Sequence, residues 1–213
     1  MITLPDRCKV NKFIPKKTFY EKIGVSTSIK DDFINNIDKI TWLYKLSEDT
    51  LGISKSQDVE EIQIFEIILK EKVLPKKIIK IISKAIPYKI LFILKYDKDY
   101  CYSIKVDNIY FTEWNEDIEF NINGLTLETI YENIVKSIIK ENNNTNTFDN
   151  IIENNNTNTF DNIIENKSKV DELSKKIEQL TNKVNNEKQF NKKVELNLEL
   201  QRLKKEMEEL KNE

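Results

Sequence analysis

EEIQIFEIILKEKVLPKKIIKIISKAIPYKILFILKYDKDYCYSIKVDNIYFTEW, residues 60–114, decides the architecture. Its first part, EEIQIFEIILK (60–70), is apolar and rich in β-branched residues, the composition of a strand. Pro75 then stands where a helix can begin, PKKIIKIISKA (75–85) is amphipathic, and Pro87 stops it. Three strands follow at 88–96, 99–106 and 109–114. Their joins, Asp97-Lys98 and Asp107-Asn108, are of hairpin length. Hairpin joins require antiparallel neighbours, because a parallel return needs a crossover of about a dozen residues or more. The reading is an antiparallel sheet with helices packed on a face, an α+β body.

Working outward toward the N-terminus, Thr18 with Glu21 and Ser28 with Asp31 have the spacing of helix N-caps. Phe33, Ile37 and Ile40 fall at helical spacing, which predicts a helix over 29–39. Ile40, Trp42, Tyr44 and Leu46 then alternate as a half-buried strand would. In the other direction, Gly124 precedes LTLETIYENIVKSIIK (125–140), where Leu127, Ile130, Ile134 and Ile138 share one helical stripe. The body is expected to span 1–140.

ENNNTNTFDNII at 141–152 recurs unchanged at 153–164. So short an exact copy is a tandem duplication rather than a solenoid. Each copy offers only Phe and Ile-Ile as apolar content, too little to offset the entropy of ordering. Residues 141–166 are therefore expected to be a disordered linker, the alternative being a docking peptide anchored by Phe148 and Phe160. The tail, 167–213, reads as helical. Val170, Leu173, Ile177, Leu180 and Val184 step by 3-4-3-4, whereas Leu196, Leu200, Leu203, Met207 and Leu210 step by 4-3-4-3 in another phase. The phases do not join across NNEKQFNKK (185–193), with Asn185-Asn186 the natural break. Either one long helix changes its contact face, or a C-terminal helical hairpin forms, and the polar break favours the hairpin over a continuous coiled coil. A stripe this narrow should dock on the body, a second copy or a partner protein, so these apolar positions are the candidate partner-binding residues.

Composition excludes more than any motif asserts. The 213 residues carry 34 Lys+Arg against 36 Asp+Glu, a formal charge of −2, and no histidine. That removes the commonest general base near neutral pH and the commonest metal ligand, and with them Ser-His-Asp and Cys-His hydrolases. Gly24, Gly52 and Gly124 are too few and too scattered for a phosphate-cradling glycine loop. Cys8 and Cys101 form neither a CxxC unit nor a disulfide framework, which fits a reducing compartment. The opening MITLPDRCKVNKF lacks a signal-peptide core, and no run approaches about 18 consecutive apolar residues. A cytoplasmic protein with no membrane partner is expected.

Charge by window is more informative than the total. Lys72 to Tyr96 holds seven lysines and no carboxylate, whereas 106–119 holds Asp107, Glu113, Glu116, Asp117 and Glu119 and no lysine. Lys76, Lys80 and Lys84 recur along one side of the short helix with Lys77 beside them, opposite Ile78, Ile79, Ile81 and Ile82. Such a stripe can neutralise phosphates of DNA or RNA without reading sequence, or it is an ordinary solvated face. Only Arg7 and Arg202 are arginines, which argues against base readout. Without histidine, an enzyme would need carboxylate and lysine chemistry around a divalent metal. Glu66, Lys70 and Glu113 are the candidates, although Glu66 and Lys70 depart from a (D/E)-x-K spacing and Glu66 shares a strand face with Ile62, Ile64 and Ile68. No metal ligand set and no cofactor motif is recognisable. Cys101 has no base to activate it, and Trp42 and Trp114 either stack nucleobases or belong to the core.

VNKFIPKKTFYEKI (10–23), ITWLYKLSEDTLGI (40–53), VEEIQIFEIILKEKVLP (59–75), AIPYKILFILKYDKDYCYSIK (85–105), YFTEWN (110–115) and EKQFNKKVELNLELQRLKKEME (187–208) resemble a bacterial family known as domain-of-unknown-function family 4391. The family has no catalytic motif to carry over. The resemblance implies a companion of DNA methyltransferases and helicases in restriction-like or phage-defence systems, an association by neighbourhood. The expected function is a non-enzymatic accessory or assembly subunit of such a complex, with a helicase or methyltransferase as the larger partner and the tail also suited to homo-oligomers. The alternatives are a sequence-independent nucleic-acid binder using Lys76, Lys77, Lys80 and Lys84, and a histidine-free metal-dependent nuclease.

Overall fold

A computed structural model describes residues 2, 4–141, 160–187 and 189–212. Two compact units result, Met1–Asn142 and Asn143–Glu213. In the first, strands β1 (Lys9–Phe13), β2 (Ile37–Ser47), β3 (Glu61–Leu69), β4 (Lys89–Tyr96), β5 (Asp99–Lys105) and β6 (Ile109–Phe111) form one sheet in sequence order. Helices α1 (Lys17–Ile23), α2 (Thr27–Asn36), α3 (Glu48–Leu51), α4 (Lys76–Ala85) and α5 (Leu127–Glu141) complete an α+β fold.

The sheet is mixed rather than wholly antiparallel: β3 and β4 run parallel, with Phe65 beside Phe92. The expectation of uniform hairpin pairing misses this because the β3–β4 connection contains α4, long enough for the crossover a parallel return requires. The other neighbouring pairs are antiparallel. Both central strands are covered on their two faces, which explains their nearly continuous apolar sequences. Phe65, Ile67 and Leu69 of β3 and Ile90, Phe92 and Leu94 of β4 join Phe19, Phe33, Ile78, Ile79 and Ile82 in the core beneath α1, α2 and α4. Ile62, Ile64, Leu91 and Ile104 alternate to the other face, where α5 packs on β3, β5 and β6. The α5 stripe of Leu127, Ile130, Ile134 and Ile138 is buried as expected, and the Thr126 hydroxyl accepts the Thr129 N–H at 3.2 Å at the helix start.

Near the N-terminus the structure differs from the sequence expectation. The helix predicted over 29–39 ends at Asn36, and Ile37 and Ile40 are buried as residues of β2. A β-bulge between Ile37 and Lys39 lets two residues three apart face the same core, imitating helical spacing. The helices follow Lys16 and Ser26, so Thr18 and Ser28 are not the caps. Strand β1 has no counterpart in the sequence reading, because KVNKF lies mostly exposed at an edge. A bulge between Lys9 and Lys12, with Asn11 at φ 48°, blunts that edge against further pairing. The last ladder stops at Phe111 rather than Trp114.

The second unit is a helical hairpin of α6 (Phe160–Asn186) packed on α7 (Phe190–Asn212), which resolves the choice left by the two seam phases. Helix α6 ends at Asn186, at the polar break. It begins inside the second copy of the duplicated segment, so 160–166 is helix rather than linker. Pairs at i,i+4, Glu165–Lys169 at 2.7 Å and Lys167–Asp171 at 3.5 Å, support that first stretch. Of the linker expected over 141–166, residues 142–159, with Phe148, lie outside the described residues.

Candidate functional site

The short helix α4 buries Ile78, Ile79 and Ile82 and exposes Lys76, Lys77, Lys80 and Lys84. It begins after Pro75 with no side-chain cap and no acid in its first turn. Two lysines at the positive end of a helix oppose the macrodipole, at about 0.3–1 kcal/mol each. Local helix preference therefore does not explain them. The Lys77 ammonium lies 3.7 Å from Asp32, and Lys76 sits over the Phe111 ring at 5.9 Å. Lys72 reaches Asp99 at 2.5 Å and the face of Trp114 at 5.2 Å. Asn115 also donates to Asp99 at 2.6 Å, and this bond, with that from Lys72, holds the Asp99 carboxyl below its ordinary range.

Helices α1 and α2 flank α4 and extend the charge. Residues 15–36 and 70–85 together carry ten lysines against four carboxylates, with no arginine. Residues 106–135, leading into and through most of α5, carry seven carboxylates and no basic residue. The near-zero total is thus an average over oppositely charged segments, with α4 and α5 on opposite faces of the sheet.

In the hairpin, Val170, Leu173, Leu180 and Leu200 are buried, whereas Ile177, Val184, Leu196, Leu203, Met207 and Leu210 are half-buried. Leu198 is 55 % exposed. The helices run antiparallel, with the Ser174 hydroxyl 3.6 Å from the Met207 sulfur. One flank of α6 repeats Lys169, Lys176 and Lys183 every seventh residue, and α7 answers with Glu199 and Glu206. The hydrogen bond from Lys176 to Glu172, at 2.8 Å, raises the ammonium pKa, and the charge of Glu206 across the hairpin adds to it. A cleft of about 450 Å³ near this flank has Leu173 and Leu210 among charged walls from Lys169, Lys176 and Glu206.

The three enzymatic candidates have separate placements. Glu66 lies on β3 with its carboxylate 2.6 Å from Lys95 of β4. Lys70 donates to the Ile34 carbonyl at 2.8 Å, and Lys16 donates to that of Ile37 at 2.8 Å. Lys70 thereby partners a free carbonyl at the end of α2, whose last turn has no basic residue, and Lys16 bonds the first carbonyl of β2. Partial burial, reinforced by the charge of Lys70, lowers the Lys16 pKa. Glu113 is exposed beyond β6, where its N–H donates to Glu116 at 2.8 Å. Among the described residues no group of three His, Cys, Asp or Glu side chains could hold a metal ion. Cys101 is buried, and burial pushes its thiol up to about 12. Trp42 stacks on Phe65 at 6.3 Å and donates to the Tyr44 carbonyl at 2.8 Å.

A feature missed by motif reasoning is a cleft of about 370 Å³ between α2 and the start of α4, with Val73 and Leu74 at its wall. Its sequence signal is two large aliphatics set among lysines immediately before a helix-starting proline.

The model of one family, Domain of unknown function (DUF4391), matches residues 2–207. No curated protein and no solved structure matches. Among the described residues no helix is long and apolar enough to cross a membrane.

Proposed function

The chain belongs to the DUF4391 family, and from that premise we propose that it acts by binding, as an accessory subunit that joins a larger DNA-processing protein through its C-terminal hairpin. The observation that carries this reading is apolar surface on the hairpin. Six of its ten seam residues are only half-buried, and Leu198 is largely in water. A further helix laid in the groove of the pair would remove the half-buried seam from solvent at about 25 cal/mol per Å², and Leu198, on the outward side of α7, offers a separate anchor. A helicase or methyltransferase of a restriction-like or phage-defence system is the class of partner proposed. Co-purification at native expression tests it with the full chain, with Leu198→Glu, and with residues 160–213 deleted. Circular dichroism checks that the point variant keeps its helices. Recovery of a large DNA-processing protein should fall with both variants, and undiminished recovery counts against the tail.

A second reading is favoured by the ten lysines around α4: sequence-independent binding of nucleic acid. Each phosphate contact contributes a slope of about −0.9 in log affinity against log salt, so reversing Lys76, Lys77, Lys80 and Lys84 to Glu should flatten the dependence by up to about 4. A gel-shift salt series that gives equal binding for both proteins removes this reading.

A further inference from the structure

The connection from β3 to α4 leaves two adjacent large aliphatics in water, Val73 at 39 % and Leu74 at 41 % exposure. Single exposed apolar residues need no explanation, but these two line a concavity. Asp32 and Asn36 of α2, with Pro75, Lys76, Lys77 and Ile78, complete its lining. Ile34, between the two α2 wall residues in sequence, is 49 % exposed. The surrounding face is cationic, with ten lysines against four carboxylates over 15–36 and 70–85: Lys76 and Lys77 line the cleft, the acidic lining residue Asp32 pairs with Lys77, and Lys72 before it is already paired with Asp99.

We propose that this cleft docks a short acidic amphipathic segment of a partner protein. Leucine or aromatic anchors would lie against Val73 and Leu74, with carboxylates on Lys76 and Lys77. The inference rests on the assembly reading and gives the body its own docking surface. Nucleic acid fits the cleft less well, because aliphatic side chains neither neutralise phosphate nor stack on bases, and no arginine is present for base edges. A phosphate-tracking helix would also use Lys80 and Lys84 at the far end of α4, whereas a segment seated in the cleft uses only the near end.

The test is fluorescence anisotropy on the full chain with a labelled peptide that places Leu and Phe at helical spacing among Asp and Glu. A scrambled isomer of the same composition is the control for charge alone. The scrambled peptide should bind at least tenfold more weakly, about 1.4 kcal/mol. Val73→Ser/Leu74→Ser, at exposed positions, and Lys76→Glu/Lys77→Glu should each weaken binding of the amphipathic peptide at least tenfold. Lys80→Glu/Lys84→Glu should leave it unchanged. Equal affinity for both peptides, or indifference to Val73→Ser/Leu74→Ser, overturns the proposal. So does duplex DNA that binds the chain while neither peptide does, or self-association that Val73→Ser/Leu74→Ser abolishes while neither peptide binds. The titration alters no tail residue, so this site can fail while co-purification through Leu198 succeeds.

Discussion

Removing Glu66 while leaving Lys95 should destabilise the sheet, and removing both should not. The two charges are 2.6 Å apart on adjacent parallel strands, with side-chain exposures of 16 % and 35 %. An exposed pair contributes about 0–1 kcal/mol, and breaking a fully buried pair from one side costs about 3–5 kcal/mol. Partial exposure lets the stranded Lys95 ammonium recover some water, which places Glu66→Leu at a cost of about 1–2 kcal/mol. Thr41 faces Glu66 from β2, but among the described residues its buried hydroxyl has no hydrogen-bond partner, so no bond to it is lost with the carboxylate. Glu66→Leu/Lys95→Met removes both charges and should lie within about 1 kcal/mol of the parent or above it. Urea unfolding followed by tryptophan emission measures this selectively. Trp42 and Trp114 both belong to the first unit, and Trp42 stacks on Phe65, next to Glu66 in the chain. With Lys95→Met completing the cycle, the coupling energy is read directly. A double variant as unstable as Glu66→Leu would refute the stranded-charge argument, and a neutral Glu66→Leu would show that the pair contributes nothing.

Burial raises Cys101 from 9.0 to about 12 and Tyr102 from 10.0 to about 12, so above pH 9 the folded chain keeps protons that the unfolded chain releases. Stability from these groups is intact below pH 9 and should fall as pH rises toward 12; a urea midpoint that stays level over that range would contradict it. Gly24 ends α1 at φ 65°, and a side-chain methyl there would meet nothing within 4 Å, so Gly24→Ala should cost about 1 kcal/mol from backbone conformation alone. Equilibrium unfolding checks this, and a neutral result would show that the turn relaxes. Lys176→Glu should lower the helical melting transition seen by far-UV circular dichroism, and Glu206→Lys in the same chain should restore part of it. Failure of the rescue would show that the two flanks do not face each other.

The segment 60–114 was legible because length, punctuation and period agree there, and the tail because two seam phases cannot belong to one straight contact face. What stayed hidden depended on chain neighbours distant in sequence. The pattern of β3 shows that it is buried on both faces but not which strand lies beside it. Ile37 and Ile40 satisfy a helix template equally well when a bulged strand carries them. Helix geometry alone puts Lys76, Lys80 and Lys84 on one side, so the lysine face was visible early. Lys95 as the partner of Glu66, and Lys70 as the cap of α2, follow only from strand order and packing. The exposure of Val73 and Leu74 is likewise a tertiary property, invisible to a reading that assigns large aliphatics to the interior.

The sheet order has a consequence for synthesis. Each strand lies beside the one made just before it, so an emerging chain meets a growing edge at every step, and the longest delays fall at β2, which waits for α1 and α2, and at β4, which waits for α4 to turn the chain around. Within the first unit, helix α5 arrives last. Until residues 127–141 clear the ribosome, Ile62, Ile64, Leu91 and Ile104 present a bare aliphatic face to the cell. Chaperones would be needed most in that interval, and a translation pause that holds 127–141 inside the ribosome would raise the risk of aggregation more than one that comes after they have emerged.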